Sequence, residues 1–389
     1  MRRLVIAALL SLAAQASVAG EPVRIGFIST FSGPSGVLGQ DLLDGFNLGL
    51  KSSGGTLGGR PVQLIQADDQ AKPDAGRQAA DKLIESDRVQ IITGINFSNV
   101  MLAVAKPVLD AGAFIISVNA GPSQYAGALC NPHFFNVSFQ NDTYSEAMGI
   151  AMTGRGLKRV YLMAPNYPAG KDFLAGFKRT FKGEIAGEVY TTFGQLDYAA
   201  EIAQLRAAKP DAVYFFYPGG MGINFVKQYA QAGLKPEIPL FGPAPSLDQT
   251  VLPAMGDAAL GAFASTFWSE TLDDPTSRKF VADFEAAYGR IPSEYAATAF
   301  DGARLIDAAL NSIGGRVEDK DAFRKALETV KFDSVRPGFG LNTNHYPIQD
   351  FYLTEIEKDA KGRAVEAMRG PIVRHYADSY AGKCKMPPS

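Results

Sequence analysis

Short apolar runs rich in β-branched residues recur along this chain with amphipathic helical segments between them. That alternation narrows the possible folds more than any other feature. Val23–Ser29, Val62–Ala67, Val89–Thr93 and Ala113–Val118 are nearly unbroken apolar runs, as expected for strands of a parallel sheet covered on both faces. Helical periodicity fills the intervals near Gln40–Lys51, Asp74–Ser86 and Ser98–Asp110, and Pro73-Asp74 is a good helix start. The alternation begins again with Val160–Ala164, Ile185–Thr191, Ala212–Tyr217 and Pro239–Phe241. Here helices are expected near Asp142–Arg155, Lys171–Lys182, Tyr198–Ala208 and Met221–Ala232. Two successive runs of βα units predict two doubly wound α/β domains. Beyond Pro275 the pattern is mostly helical, at Thr276–Tyr288, Glu294–Ile313 and Asp319–Val330, with Ser293 an N-cap for the second. A last strand pair is expected near Phe339–Leu341 and Phe351–Ile356. Pattern alone places a domain boundary near Asn136–Asn141 and does not say which domain receives the helical C-terminal part.

Residues 1–20 have the three parts of a secretory signal: Arg2-Arg3, the apolar stretch Leu4 to Ala14, and small residues at Ser17-Val18-Ala19. Cleavage is expected near Ala19, with the mature chain exported to the periplasm. The apolar stretch is far short of the ~20 residues that span a bilayer. Losing residues 1–20 removes two arginines and no acid, so the formal charge moves from −2 to −4. A nucleic-acid partner usually needs a basic face, and this balance argues against one. Cys130 and Cys384 are the two cysteines. In an oxidising compartment they can pair, with two buried thiols as the alternative.

The residues of metal and catalytic chemistry do not assemble into motifs. His133, His345 and His375 have no partner at metal-ligand spacing, and no CxxC, HExxH or DxDxDG pattern occurs. Neither a GxSxG elbow nor a phosphate loop is present. Asp68-Asp69 and Asp273-Asp274 are adjacent acids, and neighbours on a strand end point to opposite faces, which suits paired carboxylate catalysis poorly. No metal, cofactor or enzymatic activity is therefore expected. What stands at the strand ends is small and polar: Gly33-Pro34-Ser35-Gly36, Gly94-Ile95-Asn96-Phe97-Ser98 and Ser117-Val118-Asn119-Ala120-Gly121. Those ends line the ligand crevice of doubly wound sheets. Ser98 opens a helix, where free N–H groups and the helix dipole favour a carboxylate.

Phe31-Ser32-Gly33-Pro34, Asp68-Asp69 with Pro73, the Gly94–Ser98 turn, Ala230-Gln231-Ala232-Gly233-Leu234 and Phe241-Gly242-Pro243 follow one another in order. Together they resemble the leucine/isoleucine/valine-binding protein family, the periplasmic solute-binding proteins of ABC importers, over Val23 to about Glu357. The resemblance implies the type I periplasmic binding fold, two α/β lobes joined by a three-strand hinge. Lobe one would be about 22–137 plus 267–342, and lobe two about 138–266 plus 343–389. It also implies a monomer that carries a small molecule to membrane permease subunits, or a sensor presenting its ligand to a receptor.

On the same resemblance the ligand carboxylate would meet Phe97, Ser98, Asn119, Ala120 and Gly121, with Leu38 from the first loop. The second lobe would contribute Tyr167, Ala169, Tyr217 and Ala244. Amino-acid binders of the family often carry a glutamate where this chain has Ala244. A buried ammonium without a countercharge is strongly disfavoured, and Gly121, in place of a common threonine, is expected to leave room. Phe97, Tyr167, Tyr217, Trp268 and Tyr295 are expected to face the cleft. The implied ligand is a carboxylate with an apolar or aromatic body, such as a benzoate. The alternative is a branched-chain or other amino acid.

Overall fold

The computed structural model describes residues 20–386. The signal-peptide reading falls almost wholly outside them. The described chain forms two sheets flanked by helices. The first contains β1 (Val23–Ser29), β2 (Thr56–Leu57), β3 (Arg60–Asp68), β4 (Ile91–Thr93), β5 (Phe114–Ser117) and β6 (Phe134–Asn136), in the order β2-β3-β1-β4-β5-β6. Strand β1 is central. Val23, Ile25, Phe27 and Ile28 are fully buried, and it pairs in parallel with β3 and β4. Its helices are α1 (Gly36–Ser52), α2 (Pro73–Glu85), α3 (Ser98–Asp110) and the single turn α4 (Ser123–Ala126).

The second sheet starts after α5 (Asn141–Gly154). Its parallel strands are β7 (Arg159–Pro165), β8 (Glu184–Thr191), β9 (Ala212–Phe215), β10 (Leu240–Pro243) and β11 (Phe263–Thr266). Between them run α6 (Pro168–Thr180), α7 (Ala199–Ala208), α8 (Gly220–Gln231) and α9 (Leu252–Met255). Helices α10 (Pro275–Tyr288), α11 (Glu294–Ser312) and α12 (Lys320–Thr329) then return to the first sheet's side, where α11 lies along α1. The chain closes on the second sheet with β12 (Gly340–Leu341), β13 (Pro347–Lys358) and β14 (Ala364–Tyr376), all antiparallel.

Several helices begin earlier than the periodicity indicated. Proline at the first turn opens α6 at Pro168 rather than Lys171, because a fixed φ near −65° suits that position. Ser293 does cap α11, accepting from Ala296 N. Strands β2, β6, β11 and β14 were not anticipated: β2, β6 and β11 are very short, and β14 mixes charges with Gly370-Pro371 on a half-exposed face.

Crossings between the sheets are pinned by buried polar groups. Arg336 Nε donates to Asp301 Oδ2 of α11 at 2.9 Å, and its Nη1 to Ser138 O at 3.2 Å and Gln349 Oε1 of β13 at 2.9 Å. Glu294 accepts from Tyr144 Oη of α5, and from Thr266 Oγ1 of β11 at 2.5 Å. The C-terminal segment lies against the second lobe, with Tyr380 Oη donating to Asp142 Oδ2. It ends in a disulfide from Cys384 to Cys130 of the first lobe.

Candidate functional site

A small cavity lies where the strand ends of the two sheets face each other. The turn after β4 contributes Asn96, Phe97 and Ser98, and the chain after β5 contributes Asn119 and Ala120. Phe139 and Asn141 arrive from the first crossing. The second lobe adds Tyr167, Ala169 and Phe173 around the start of α6, Phe216 and Pro218 after β9, and Pro245 after β10. Tyr295 reaches it from α11.

Its apolar wall is a set of interlocked rings. Phe173 stacks on Phe216 at 3.8 Å with planes 2° apart, and Phe216 on Tyr167 at 6.3 Å and 15°. Phe97 meets Tyr167 edge-on at 6.3 Å across the lobes. Offset and edge-on contacts of this kind are the favoured aromatic geometries.

The polar wall consists of neutral groups. Helix α3 begins at Ser98 with Phe97 as N-cap, so no side chain caps its leading N–H groups, which remain available to an acceptor. Ser98 is thus the first helical residue rather than the cap. Asn96 Oδ1 accepts from Ser29 Oγ at 2.5 Å and Thr30 N at 2.9 Å, while its buried Nδ2 has no partner. Asn141 Nδ2 donates to Ser98 Oγ at 3.1 Å and to Asp172 Oδ2 at 2.9 Å. Burial pushes the Asp172 carboxyl up to about 6, with the Asp142 charge adding to it. Above that pH Asp172 only accepts, which fixes the Asn141 amide with its nitrogen towards it. Burial also raises the Tyr167 and Tyr295 phenols, so both remain neutral hydroxyls. None of the described lining residues carries a charge.

Phe97, Ser98, Asn119, Ala120, Tyr167, Ala169 and Tyr295 therefore meet at one cavity, and the other anticipated contacts do not reach it. Tyr217 turns away into the core, 4.9 Å from Tyr198 and 5.3 Å from Phe225. Successive strand residues face opposite sides, and Phe216 takes the cavity side. Leu38 lies at the lobe interface, its Cδ1 3.5 Å from where a Cβ on Gly219 would stand. Ala244 is fully buried in the turn Ala244–Ser246. Gly121 leaves no room for a ligand, since a Cβ there would lie 1.9 Å from Phe139 O, and the glycine serves this close backbone approach. Trp268 is core, donating to Ser277 Oγ at 2.8 Å and packing edge-on against Phe280. Phe139, Asn141, Phe173 and Phe216 were missed. Strand alternation could have indicated Phe216, whereas the others sit in a crossing or inside helices with no strand-end signal.

Residues 22–362 match the periplasmic binding protein family. The Leu/Ile/Val-binding protein homolog 6 of Brucella melitensis is 29% identical over 378 residues, covering 93% of this chain and 95% of its own length. A solute-binding protein of an ABC transporter from R. palustris, solved in complex with benzoate, is 32% identical. It superposes with a TM-score of 0.89 over 94% of this chain and 100% of its own. Another, from Rhodopseudomonas palustris BisB5 and bound to 3,4-dihydroxybenzoic acid, is 30% identical with a TM-score of 0.87, covering 93% and 99%. The chain belongs to the periplasmic binding protein family.

Proposed function

We propose that this member of the family is the solute-binding protein of an ABC importer and captures a small aromatic carboxylate between its lobes. One observation carries the reading: a ring-lined cavity whose polar groups are neutral, placed beside an uncapped helix start. A benzoate-like acid supplies a ring for the Phe173–Phe216–Tyr167 wall and an anion for the Ser98 end. The anchoring set is Phe97, Ser98, Asn119, Ala120, Tyr167, Ala169 and Tyr295, joined by Asn141 and Phe216. Lobes of about 22–137 plus 267–342 and 138–266 plus 343–389 close over the ligand by a hinge motion. The closed monomer then docks on permease subunits outside the cytoplasm, without chemical change to its cargo.

Titration calorimetry of the mature protein with benzoate, 4-hydroxybenzoate and 3,4-dihydroxybenzoate, beside leucine, isoleucine and phenylalanine, tests this reading. Tight binding of an aromatic acid is expected. Tight leucine binding with no heat from the benzoates would transfer the protein to the amino-acid binders.

A further inference from the structure

Asp172 stands one layer behind the cavity, and its carboxylate joins the two lobes. It belongs to α6, between β7 and β8 of the second sheet, yet its partner Ser123 opens α4, between β5 and β6 of the first. Ser123 Oγ donates to Asp172 Oδ1 at 2.8 Å, and Ser123 N to Oδ2 at 3.1 Å. Asn141 Nδ2 donates to Oδ2 as well. Because the same nitrogen also donates to Ser98 Oγ, the Ser98 oxygen is an acceptor in that contact, and the hydroxyl proton stays free for another partner. Ser98 lines the cavity.

From this arrangement we infer that Asp172 is a positioning residue for ligand recognition, holding Asn141 so that the Ser98 hydroxyl is presented to the cavity as a hydrogen-bond donor. The Ser123 contacts tie that orientation to the approach of the two lobes, so the donor is set when the cleft is shut. The site would accordingly select ligands headed by an acceptor, carboxylate above all. Without Asp172, Asn141 is free to turn its carbonyl oxygen to Ser98, and the serine proton is consumed inside the protein. This inference rests on the aromatic-carboxylate reading above.

A double-mutant cycle tests it, with benzoate affinity measured by calorimetry for wild type, Asp172→Asn, Ser98→Ala and the double variant, and urea midpoints recorded alongside. Hydrogen bonds to charged groups have a strength that makes the expected loss for Asp172→Asn roughly tenfold to a hundredfold. In the Ser98→Ala background the same change should cost little further, because residues acting through one another are not additive. Ser123→Ala, remote from the cavity, should reproduce the pattern more weakly, and it carries the test if Asp172→Asn does not fold. Equal losses in both backgrounds, or no loss in either, would overturn the inference while leaving the ligand reading intact. A wild-type protein that ignores benzoate and the hydroxybenzoates overturns both.

Discussion

Replacing Asp248 by asparagine should stabilise the protein, and by an amount that depends on pH in a definite direction. Asp248 is fully buried just after the turn that carries Pro245. Its Oδ1 accepts from Thr250 N at 3.0 Å and from the Thr250 hydroxyl, whereas Oδ2 has no partner. Burial, reinforced by the Asp41 and Glu270 charges, pushes the carboxyl up to about 8 from an ordinary 3.8. Between those values the folded chain holds a proton that the unfolded chain has released. The stability tied to this group is therefore complete below about pH 4 and is lost as pH rises towards 8. The slope is about 1.4 kcal/mol per pH unit, or about 2.7 kcal/mol between pH 5 and pH 7. Asparagine keeps the shape and does not titrate. Urea unfolding followed by the fluorescence of Trp268, the single tryptophan, should show the variant gaining on wild type by about 2–3 kcal/mol more at pH 7 than at pH 5. An equal gap at the two pH values would refute the claim that Asp248 folds protonated.

Gly121→Ala sets a methyl 1.9 Å from Phe139 O, backbone against backbone. It should lower stability by about 1–3 kcal/mol and weaken benzoate binding by displacing Asn141, whose N donates to Gly121 O at 2.9 Å; calorimetry and urea midpoints check both. Cys384→Ser opens a bridge spanning 254 residues, and chain entropy makes the expected loss about 5 kcal/mol; an unchanged urea midpoint would contradict it. Phe216→Leu keeps the cavity apolar but removes the aromatic face offered to a bound ring, a contact worth about 0.5–1.5 kcal/mol. Affinity for benzoate should fall by about threefold to tenfold, while a saturated cyclic acid should lose less.

How far the sequence could be read depended on whether local pattern and tertiary role coincided. For β1 and α3 they did: Val23–Ser29 and Ser98–Asp110 have the bounds their periodicity indicates. For β14 they did not, because Ala364–Tyr376 gains its strand character from pairing with β13 across several register shifts, and no periodic apolar face survives in its own residues. The cavity divides in the same way. Phe97, Ser98 and Asn119 follow parallel strands, where crevice residues belong. Asn141 lies at the start of a helix after a crossing, and Asp172 within α6, and each matters through a partner from the other lobe. Pairing of that kind leaves no spacing signal in a single chain.

The acid missing at Ala244 was a sequence argument against an amino-acid ligand, and the structure replaces it with a stronger one. Ala244 does not line the cavity, so its identity alone decides nothing. The decisive quantity is whether any carboxylate near the cavity is free to receive an ammonium. Asp172 is already held by Ser123 N, Ser123 Oγ and Asn141 Nδ2. Burial pushes the Asp248 carboxyl up to about 8, which favours its neutral form at pH 7. Glu294 is committed to Tyr144 and Thr266. An α-amino acid would place its carboxylate as well as benzoate does and then strand its ammonium, at an effective cost of several kcal/mol in a buried site. Even a residual penalty of about 3 kcal/mol is a factor of roughly a hundred in affinity. 3-Phenylpropanoate and phenylalanine share a ring, a two-carbon spacer and a carboxylate and differ in the ammonium, so their affinity ratio reads that penalty directly. A ratio near one would mean that some carboxylate does reach the ligand. The carboxylate responsible would then be the one whose asparagine variant, Asp172→Asn or Asp248→Asn, lowers phenylalanine affinity by more than it lowers benzoate affinity.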